Sequence, residues 1–247
     1  MKKADVIKNL NPLFLKGIAH RGLHNDKLTE NGIPAFKNAI EHNLAIELDV
    51  HLTKDGKLIV CHDSELKRTT GKQGIIEDLT VEEIKTNYRL LDGSEVPTFR
   101  EVLELVKEAV PITVELKVYN KNYKPLASRL KTELKDVRDK KNFFLISFDP
   151  RSLIPFRKSG FMRSLLVTPS HGWTYSLRHL FESVDLDQVM FNSPKVQKYH
   201  RKNLVNCWTI QSNQEFDKVF PYIDTATFQR TDADYIVDRL SEKNNLK

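Results

Sequence analysis

The chain has 247 residues, 40% of them hydrophobic, so it can bury one substantial core. A chain of this length can form a single α/β barrel or two small domains. Its formal net charge of +6 suits an anionic substrate, a membrane surface or nucleic acid. Much of this charge is interleaved with acidic residues, and no zinc-finger, basic-zipper or aromatic RNA-binding motif is present, so we expect no nucleic-acid partner.

The start of the chain carries early lysines but no apolar segment of signal-peptide length, because Asn9, Asn11 and Pro12 interrupt it. We therefore expect no export, no stable membrane insertion and a cytoplasmic location. The two cysteines, Cys61 and Cys207, lie in separate apolar runs without metal-ligand spacing, which is typical of buried core thiols.

After Lys16, short apolar runs alternate with amphipathic segments, a pattern that indicates parallel strands connected by helices. The predicted strands are 17–20, 45–52, 112–116, 143–147, 164–167, 188–191, 204–210 and 235–237. The predicted helices are 33–42, 98–109, 124–139, 150–159, 177–182, 194–202 and 213–219. Eight strands alternating with helices in a chain of this length favour a (β/α)8 TIM barrel over an open sheet.

The clearest predicted helix begins at a capping box formed by Thr98 and Glu101. Between the second strand and this helix lie a further apolar run at 58–61 and a polar stretch at about 63–97. That stretch has too few apolar residues for a core of its own. We therefore predict one domain over residues 1–247, with a small insertion after the second strand.

Polar side chains gather at the carboxyl ends of the predicted strands, where the active sites of such barrels lie. Glu47 and Asp49 are two residues apart in one strand, so both point to the same face, and the aliphatic residues between them place that face inside the barrel. With Glu115 from the next strand they predict an oxygen-ligand site for Mg²⁺ or Ca²⁺. Lys117 and Trp208 lie at the same rim.

Two histidines are candidates for acid–base catalysis, since an imidazole titrates near neutrality. His20 and His62 each end an apolar run, and each is followed by a charged residue, Arg21 or Asp63. A cation site, two histidines and a fixed arginine together indicate phosphodiester cleavage. The other histidines lack such a setting and are expected on the surface or in helices: His24, His42, His51, His171, His179 and His200.

These residues fall in motifs that resemble, in order and spacing, those of the glycerophosphodiester phosphodiesterases. The motifs are Ile18-Ala19-His20-Arg21-Gly22, Glu30-Asn31, Ile46-Glu47-Leu48-Asp49-Val50, Thr53-Lys54-Asp55-Gly56, His62-Asp63 and Arg68-Thr69-Thr70. Later stretches extend the resemblance over nearly the whole chain after Lys16: Val96-Pro97-Thr98-Phe99, Val114-Glu115-Leu116-Lys117, Ser147-Phe148-Asp149-Pro150 and Cys207-Trp208-Thr209-Ile210.

The resemblance implies a barrel with a small insertion, acting on a small-molecule glycerophosphodiester to release sn-glycerol 3-phosphate and an alcohol such as choline, ethanolamine or glycerol. It also implies roles for individual residues: His20 and His62 as the acid/base pair, Glu47, Asp49 and Glu115 as ligands of a divalent cation, and Arg21, Lys117, Glu30 and Trp208 as contacts for the phosphate and substrate. In the implied mechanism the glycerol 2-hydroxyl attacks phosphorus while one histidine takes its proton. The other histidine protonates the leaving alcohol, and water then opens the cyclic phosphate.

The chain departs from the family pattern at three places. Gly32 replaces a threonine, Gln211 replaces an asparagine, and residues 237–240 stand where Thr-Asp-Tyr-Pro is usual. These departures concern which alcohol is accepted and how the glycerol end is held, since they touch neither the histidines nor the carboxylates. The oligomeric state and the choice between Mg²⁺ and Ca²⁺ stay open.

Two other functions fit parts of the pattern. A related barrel phosphodiesterase acting on lysophospholipids or phospholipids would use the same site with a lipid-facing rim, to which Phe143, Phe144 and the loop 169–173 would contribute exposed aromatic rings. A non-catalytic barrel that binds phosphorylated ligands would have lost a histidine or a carboxylate, and none is missing.

Overall fold

The computed structural model describes residues 2–246 and contains a closed barrel of parallel strands with helices around it. The strands are β1 (Ile18–Ala19), β2 (Ala45–Leu52), β3 (Leu58–Val60), β4 (Ile112–Leu116), β5 (Phe143–Ser147), β6 (Met162–Val167), β7 (Ser183–Asp187), β8 (Leu204–Ile210) and β9 (Thr225–Phe228). β1 pairs with both β2 and β9, which closes the barrel, while β3 pairs antiparallel with β2 outside it. This confirms the predicted (β/α)8 TIM barrel.

Helices connect the strands on the outside of the barrel. The α-helices are α1 (Lys3–Lys8), α2 (Ile33–Glu41), α3 (Lys67–Thr70), α4 (Val81–Asn87), α5 (Phe99–Val106), α6 (Tyr123–Glu133), α7 (Pro150–Leu153), α8 (Pro194–Tyr199), α9 (Asn213–Val219) and α10 (Ala233–Lys243). Short 3₁₀ segments occupy Pro12–Lys16, Ile76–Asp78, Lys140–Asn142, Ile154–Phe156, Pro169–Leu180, Gln188–Asn192 and Phe220–Tyr222. Between residues 2 and 246, none of the helices has the length and apolar character that crossing a bilayer requires.

The helix with the clearest predicted start begins as expected. The Thr98 hydroxyl accepts a hydrogen bond from the backbone N–H of Glu101, whose carboxylate accepts one from the N–H of Thr98. The helix ends at Val106 and not at 109, because Lys107 and Glu108 adopt left-handed φ angles of 44° and 64°.

The predicted strand at 188–191 is wrong. Those residues belong to a 3₁₀ segment, and the barrel strand is β7, just before them. Ser183 and Asp185 point into the barrel and alternate with the buried Val184 and Leu186. Because its inward side chains are polar, β7 lacks the apolar run by which the other strands were recognised.

The predicted strand at 235–237 is also wrong. It lies in α10, whose first turn is capped by Asp232 accepting from the N–H of Tyr235. Ile236 and Leu240 are buried at the four-residue spacing of a helix. The last barrel strand is β9, a short Thr-Ala-Thr-Phe run that the apolar pattern does not mark.

A layer of buried polar side chains fills the middle of the barrel. The Ser164 hydroxyl donates to Oδ1 of Asp185 (2.5 Å), and Nδ2 of Asn206 donates to Oδ2 of Asp185 (2.9 Å) and to the hydroxyl of Thr227 (2.9 Å). Towards the amino ends of the strands the interior is apolar, with a cluster that includes Phe14, Ile18, Ala45, Phe144, Met162 and Leu204. The interior is therefore closed at that end, and the carboxyl end carries the site.

The segment between β2 and α5 forms the insertion. β3 attaches it to β2, and it continues through α3, the Ile76–Asp78 turn and α4. It packs around a small cluster of buried residues: Ile59, Cys61, Leu66, Ile76, Ile84, Tyr88, Leu90 and Val96. Cys61 and Cys207 are both free and buried, as predicted. The insertion therefore carries His62 as a compact extension of the barrel rim.

Candidate active site

Three carboxylates converge at the carboxyl end of the barrel. Glu47 and Asp49 both lie on β2, and Asp49 is aligned with Glu115 on the neighbouring β4. One oxygen from each residue lies within 4.8 Å of the other two, and all three side chains are buried. The structure therefore brings together the three residues that the sequence predicts as metal ligands.

The three carboxylates perturb one another. Burial, followed by the charges of Asp49 and Glu115, holds the pKa of Glu47 well above its usual range. Burial raises the pKa of Glu115 to about 7. Burial acts in the same direction on Asp49, but Lys117 and Arg21 outweigh it and hold the pKa of Asp49 below its usual range. Three anionic carboxylates at this distance repel one another unless a cation or a proton lies among them.

Two cationic side chains flank the carboxylates. Nζ of Lys117 lies 2.9 Å from Oε1 of Glu115 and 3.5 Å from Oδ1 of Asp49. Nε of Arg21 lies 3.6 Å from Oδ2 of Asp49. Burial lowers the pKa of Lys117, but Glu115 and Asp49 outweigh burial and raise it. Both predicted phosphate contacts therefore lie at the carboxylate cluster as cations.

The loop after β1 holds these groups in place. The backbone N–H of Arg21, a residue with a φ of 55°, donates to Oε2 of Glu47 at 2.9 Å. The Arg21 guanidinium donates to Oε1 of Glu30 at 2.7 Å. Asn31, which lies in a quoted motif but was given no role, donates from Nδ2 to Oδ2 of Asp49 at 2.9 Å. Glu30 therefore orients Arg21 at the edge of the site, and Asn31 orients Asp49.

His20 lies directly after β1 and is largely buried. Its Nε2 is 3.8 Å from Oε2 of Glu47, and its Nδ1 donates to the side-chain carbonyl of Gln229 at 2.6 Å. Burial, and then the charge of Arg21, lower the pKa of His20 to about 3. The ring is therefore neutral near pH 7. Because Nδ1 carries its one proton, Nε2 presents a lone pair to the site.

His62 follows β3 and reaches the rim from the insertion, not from a barrel strand. Its Nδ1 donates to Oδ1 of Asp63 at 2.6 Å, and burial lowers its pKa. His62 lines the same cleft as Glu115 and Lys117. Both predicted catalytic histidines are therefore at the site, on different structural supports.

Two histidines expected on the surface or in helices are instead buried beside the site. Nε2 of His24 donates to the carbonyl of Gln229 at 3.2 Å. Nε2 of His51 lies 3.0 Å from the backbone carbonyl oxygen of His62, and its Nδ1 lies 2.7 Å from Oε1 of Glu77. His51 continues the two-residue alternation of the inward carboxylates on β2, a signal that predicts its position. No such alternation predicts the position of His24.

A cleft of about 800 Å³ opens from the carboxylates between the loops that follow β4, β5 and β6. Lys117 and Glu115 lie at its inner end, and Phe148 forms part of its wall. Trp173, on the Pro169–Leu180 segment, also lines the cleft and is 67% exposed. The cleft therefore has a charged inner end and a partly aromatic mouth.

The aromatic wall differs from the expectation in part. The ring of Trp208 packs edge-on against Phe148 with ring centroids 5.4 Å apart, and its Nε1 donates to the backbone carbonyl of Asp185 at 3.0 Å. Phe143 and Phe144 would be exposed only under the lipid alternative; they are 3% and 1% exposed and belong to the core, in line with the simpler expectation of buried aromatic residues. Trp208, predicted as a substrate contact, therefore supports Phe148, and Phe148 lines the cleft.

The residues that follow the last barrel strand were also assigned wrongly. Residues 237–240 lie within α10, because the segment before them is helix and not strand. β9 ends at Phe228, and Gln229 and Arg230 follow it at the rim. Gln229 is thus a site residue that the sequence analysis missed, since the β9 run itself was not recognised.

Comparisons with known proteins agree with this geometry. The sequence profile described as the glycerophosphoryl diester phosphodiesterase family matches residues 20–230. A glycerophosphodiester phosphodiesterase of Caldanaerobacter subterraneus subsp. tengcongensis is 33% identical over 220 residues, which cover 82% of this chain and 88% of the relative.

Solved structures share the fold. An Oleispira antarctica phosphodiesterase in complex with the product sn-glycerol-3-phosphate superposes with a TM-score of 0.79 at 22% identity, covering 97% of this chain and 99% of that chain. A glycerophosphodiester phosphodiesterase from Thermotoga maritima gives a TM-score of 0.69 at 26% identity, covering 93% and 97%. With the family match across most of its length, the chain belongs to the glycerophosphoryl diester phosphodiesterase family.

Proposed function

We propose that this enzyme hydrolyses glycerophosphodiesters to sn-glycerol 3-phosphate and an alcohol, with a divalent cation and with His20 and His62 as the acid–base pair. The observation that carries the proposal is the grouping of three buried carboxylates with two histidines, Arg21 and Lys117 at one end of the barrel. The Oleispira antarctica phosphodiesterase holds sn-glycerol-3-phosphate, which supports a small-molecule substrate of this class.

The carboxylate cluster suits a hard divalent cation. Glu47, Asp49 and Glu115 supply oxygen atoms and no sulfur or nitrogen, the donor set that Mg²⁺ and Ca²⁺ prefer. Among residues 2–246, Oδ1 of Asp49 is buried and accepts no hydrogen bond, with Nζ of Lys117 at 3.5 Å as its nearby charge, so it has a lone pair available for a cation. When bound, such a cation neutralises charge on the phosphate and polarises its oxygens.

Arg21 and Lys117 would hold the phosphodiester against the cluster. Both are cations beside Asp49, and an arginine fork matches two phosphate oxygens while an ammonium acts as a point charge. Glu30 fixes the direction of the Arg21 guanidinium. The substrate phosphate would therefore lie between the two histidines, with its charge met from several sides.

The substrate's own glycerol 2-hydroxyl is the nucleophile in this proposal. Two serines line the cleft, but the Ser64 hydroxyl donates to Glu77 and the Ser147 hydroxyl donates to the carbonyl of Leu116, so neither is activated by a histidine. The 2-hydroxyl oxygen bonds to phosphorus as one histidine takes its proton, and the ester oxygen leaves with a proton from the other histidine. Water then opens the cyclic phosphate, with the same two groups returning the protons.

The first experiment is an assay of the purified protein with glycerophosphocholine, with sn-glycerol 3-phosphate as the measured product. We expect activity with Mg²⁺ or Ca²⁺ and a decrease of kcat by roughly 10²–10⁴ in His20→Ala and His62→Ala, the range for loss of a general acid or base. His179→Ala, which changes an exposed histidine on the Pro169–Leu180 segment, is the control. Near-normal kcat in either of the first two variants would contradict that histidine's role.

A second candidate substrate is a lysophospholipid, and one observation favours it. Trp173 is 67% exposed while lining the cleft mouth, where it would meet an acyl chain. Hydrolysis of glycerophosphocholine and lysophosphatidylcholine, measured side by side with wild type and Trp173→Ala, separates the two. A loss confined to the lipid substrate supports this candidate, and no turnover of the lipid by wild type excludes it.

A further inference from the structure

His62 depends on the insertion for its position. Its backbone is held by the hydrogen bond from His51 to its carbonyl, at 3.0 Å. Its ring has a separate support, because Nδ1 donates to Oδ1 of Asp63 at 2.6 Å. Asp63 belongs to the same insertion and is one-third exposed, so it needs a further contact to fix the ring relative to the barrel.

Arg68 on α3 supplies that contact. Its Nε lies 2.5 Å from Oδ2 of Asp63, and its two terminal nitrogens donate to the two carboxylate oxygens of Glu30 at 2.9 and 2.8 Å. Glu30 lies in the loop after β1 and also accepts from Arg21 at 2.7 Å. The Arg68 guanidinium thus connects Asp63 with Glu30. Asp63 holds the His62 ring and Glu30 holds Arg21, although the two acids come from segments far apart in the sequence.

We propose that Arg68 is a positioning residue for the hydrolysis proposed above. Arg68 sets the position of the His62 ring relative to Arg21 and the barrel. It acts through Asp63 and Glu30 and not on the substrate, because its three donor nitrogens are all engaged with these two carboxylates. The planar guanidinium of an arginine suits this bridge, since its nitrogens can hold both carboxylates in one plane. A misplacement of about 1 Å at a reacting group costs roughly 10²-fold in rate.

The charges of the bridge are balanced. Arg21 and Arg68 contribute two positive charges, and Glu30 and Asp63 contribute two negative charges. Burial raises the pKa of Glu30, but Arg68 and Arg21 outweigh burial and lower it to about 2. The pKa of Asp63 is also lowered, since Arg68 and His62 outweigh burial. Both acids are therefore anionic across the neutral range, and the charge of Arg68 is met within the bridge.

The test uses Arg68→Lys, which keeps the positive charge but removes the fork. We expect kcat for glycerophosphocholine to fall about tenfold, with KM changed by less than about threefold, because geometry and not binding is affected. Arg89→Lys is the matched control: Arg89 is equally exposed, pairs with Glu95 at 3.6 Å and lies elsewhere in the insertion. An increase in KM with unchanged kcat would overturn the proposal in favour of a substrate contact.

A double-mutant cycle shows whether Arg68 acts through Asp63. In an Asp63→Asn background the further loss from Arg68→Lys should shrink to about twofold, because residues in one network are not additive. Equal losses in both backgrounds would contradict the proposal.

A third measurement does not depend on turnover. The ring ¹⁵N resonances of His62 should shift in Arg68→Lys and stay in place in Arg89→Lys, and unshifted resonances in both would overturn the proposal. If the wild type does not hydrolyse glycerophosphocholine, the proposed function fails while these spectra still test the bridge. If the wild type is active and Arg68→Lys behaves like it, only the role of Arg68 fails.

Discussion

Nδ1 of His20 lies 2.6 Å from the side-chain carbonyl oxygen of Gln229, the residue that follows the last barrel strand. The same oxygen accepts from His24 at 3.2 Å. Gln229 therefore fixes the tautomer and direction of the His20 ring with a neutral acceptor. A carboxylate in its place would stabilise the protonated ring more strongly. His20 is thus held as a neutral imidazole with Nε2 towards the site.

Gln229→Glu should therefore raise the pKa of His20 and move the acidic limb of the kcat/KM profile to higher pH. Here we take His20 as the histidine that accepts the proton of the 2-hydroxyl. The sign follows because such a base must be deprotonated, and the wild-type pKa of about 3 leaves His20 deprotonated over the neutral range. Gln229→Leu should lower kcat without moving that limb to higher pH, since it removes the acceptor and adds no charge. pH–rate profiles of the three proteins test this, and an unmoved acidic limb in Gln229→Glu would count against the assignment.

Loss of one carboxylate should weaken divalent-ion binding. Glu47→Gln, Asp49→Asn and Glu115→Gln each remove an anionic oxygen donor, so we expect a loss of affinity larger than the roughly 10–100-fold caused by removing an outer partner. Titration calorimetry with Mg²⁺ and with Ca²⁺ measures it, and Glu104→Gln on the exposed face of α5 is the control. Full activity after exhaustive chelation would contradict a metal mechanism.

The three carboxylates and His20 were predictable because β1, β2 and β4 follow the period of two and have apolar outward faces. Asp49 and Glu115 meet through the parallel register of β2 and β4, as such a barrel requires. β7 and β9 were missed because they contain no apolar run. Their inward residues, such as Asp185 and Thr227, are polar and hydrogen-bonded, so no apolar run marks them.

Other features of the site depend on contacts that no local pattern encodes. Arg68 meets Glu30 across 38 positions of sequence, and Gln229 meets His20 across 209. Both contacts join segments whose relative positions are set by tertiary packing, not by periodicity. His51 is intermediate, because its inward direction follows from β2 while its contact with the His62 carbonyl requires the insertion to fold back.

The buried Asp185 should make stability depend on pH. Burial raises its pKa from 3.8 to about 6, so the folded state binds the proton more tightly than the unfolded state. Its stabilising contribution is present below about pH 4 and is lost as the pH rises through about 6, by roughly 3 kcal/mol. Asp185→Asn removes this dependence.

Urea unfolding of wild type and Asp185→Asn at pH 4 and pH 7 measures this effect. The variant's free energy of unfolding relative to wild type should increase by about 2.4 kcal/mol between the two pH values, because Asp185 is already partly titrated in the unfolded state at pH 4. A difference that stays constant with pH would mean that Asp185 does not titrate in this range.

In the proposed mechanism, two histidines use the substrate's own hydroxyl to cleave a glycerophosphodiester. Intramolecular attack of this kind gains a high effective molarity, so removing the hydroxyl should stop turnover while the phosphate still binds. The most direct test compares kcat for glycerophosphocholine with kcat for its 2-deoxy analogue, with the analogue's Kd measured separately. We expect rapid release of sn-glycerol 3-phosphate from glycerophosphocholine, and binding with very slow cleavage for the 2-deoxy analogue. Equal rates would contradict this mechanism and indicate direct attack by water.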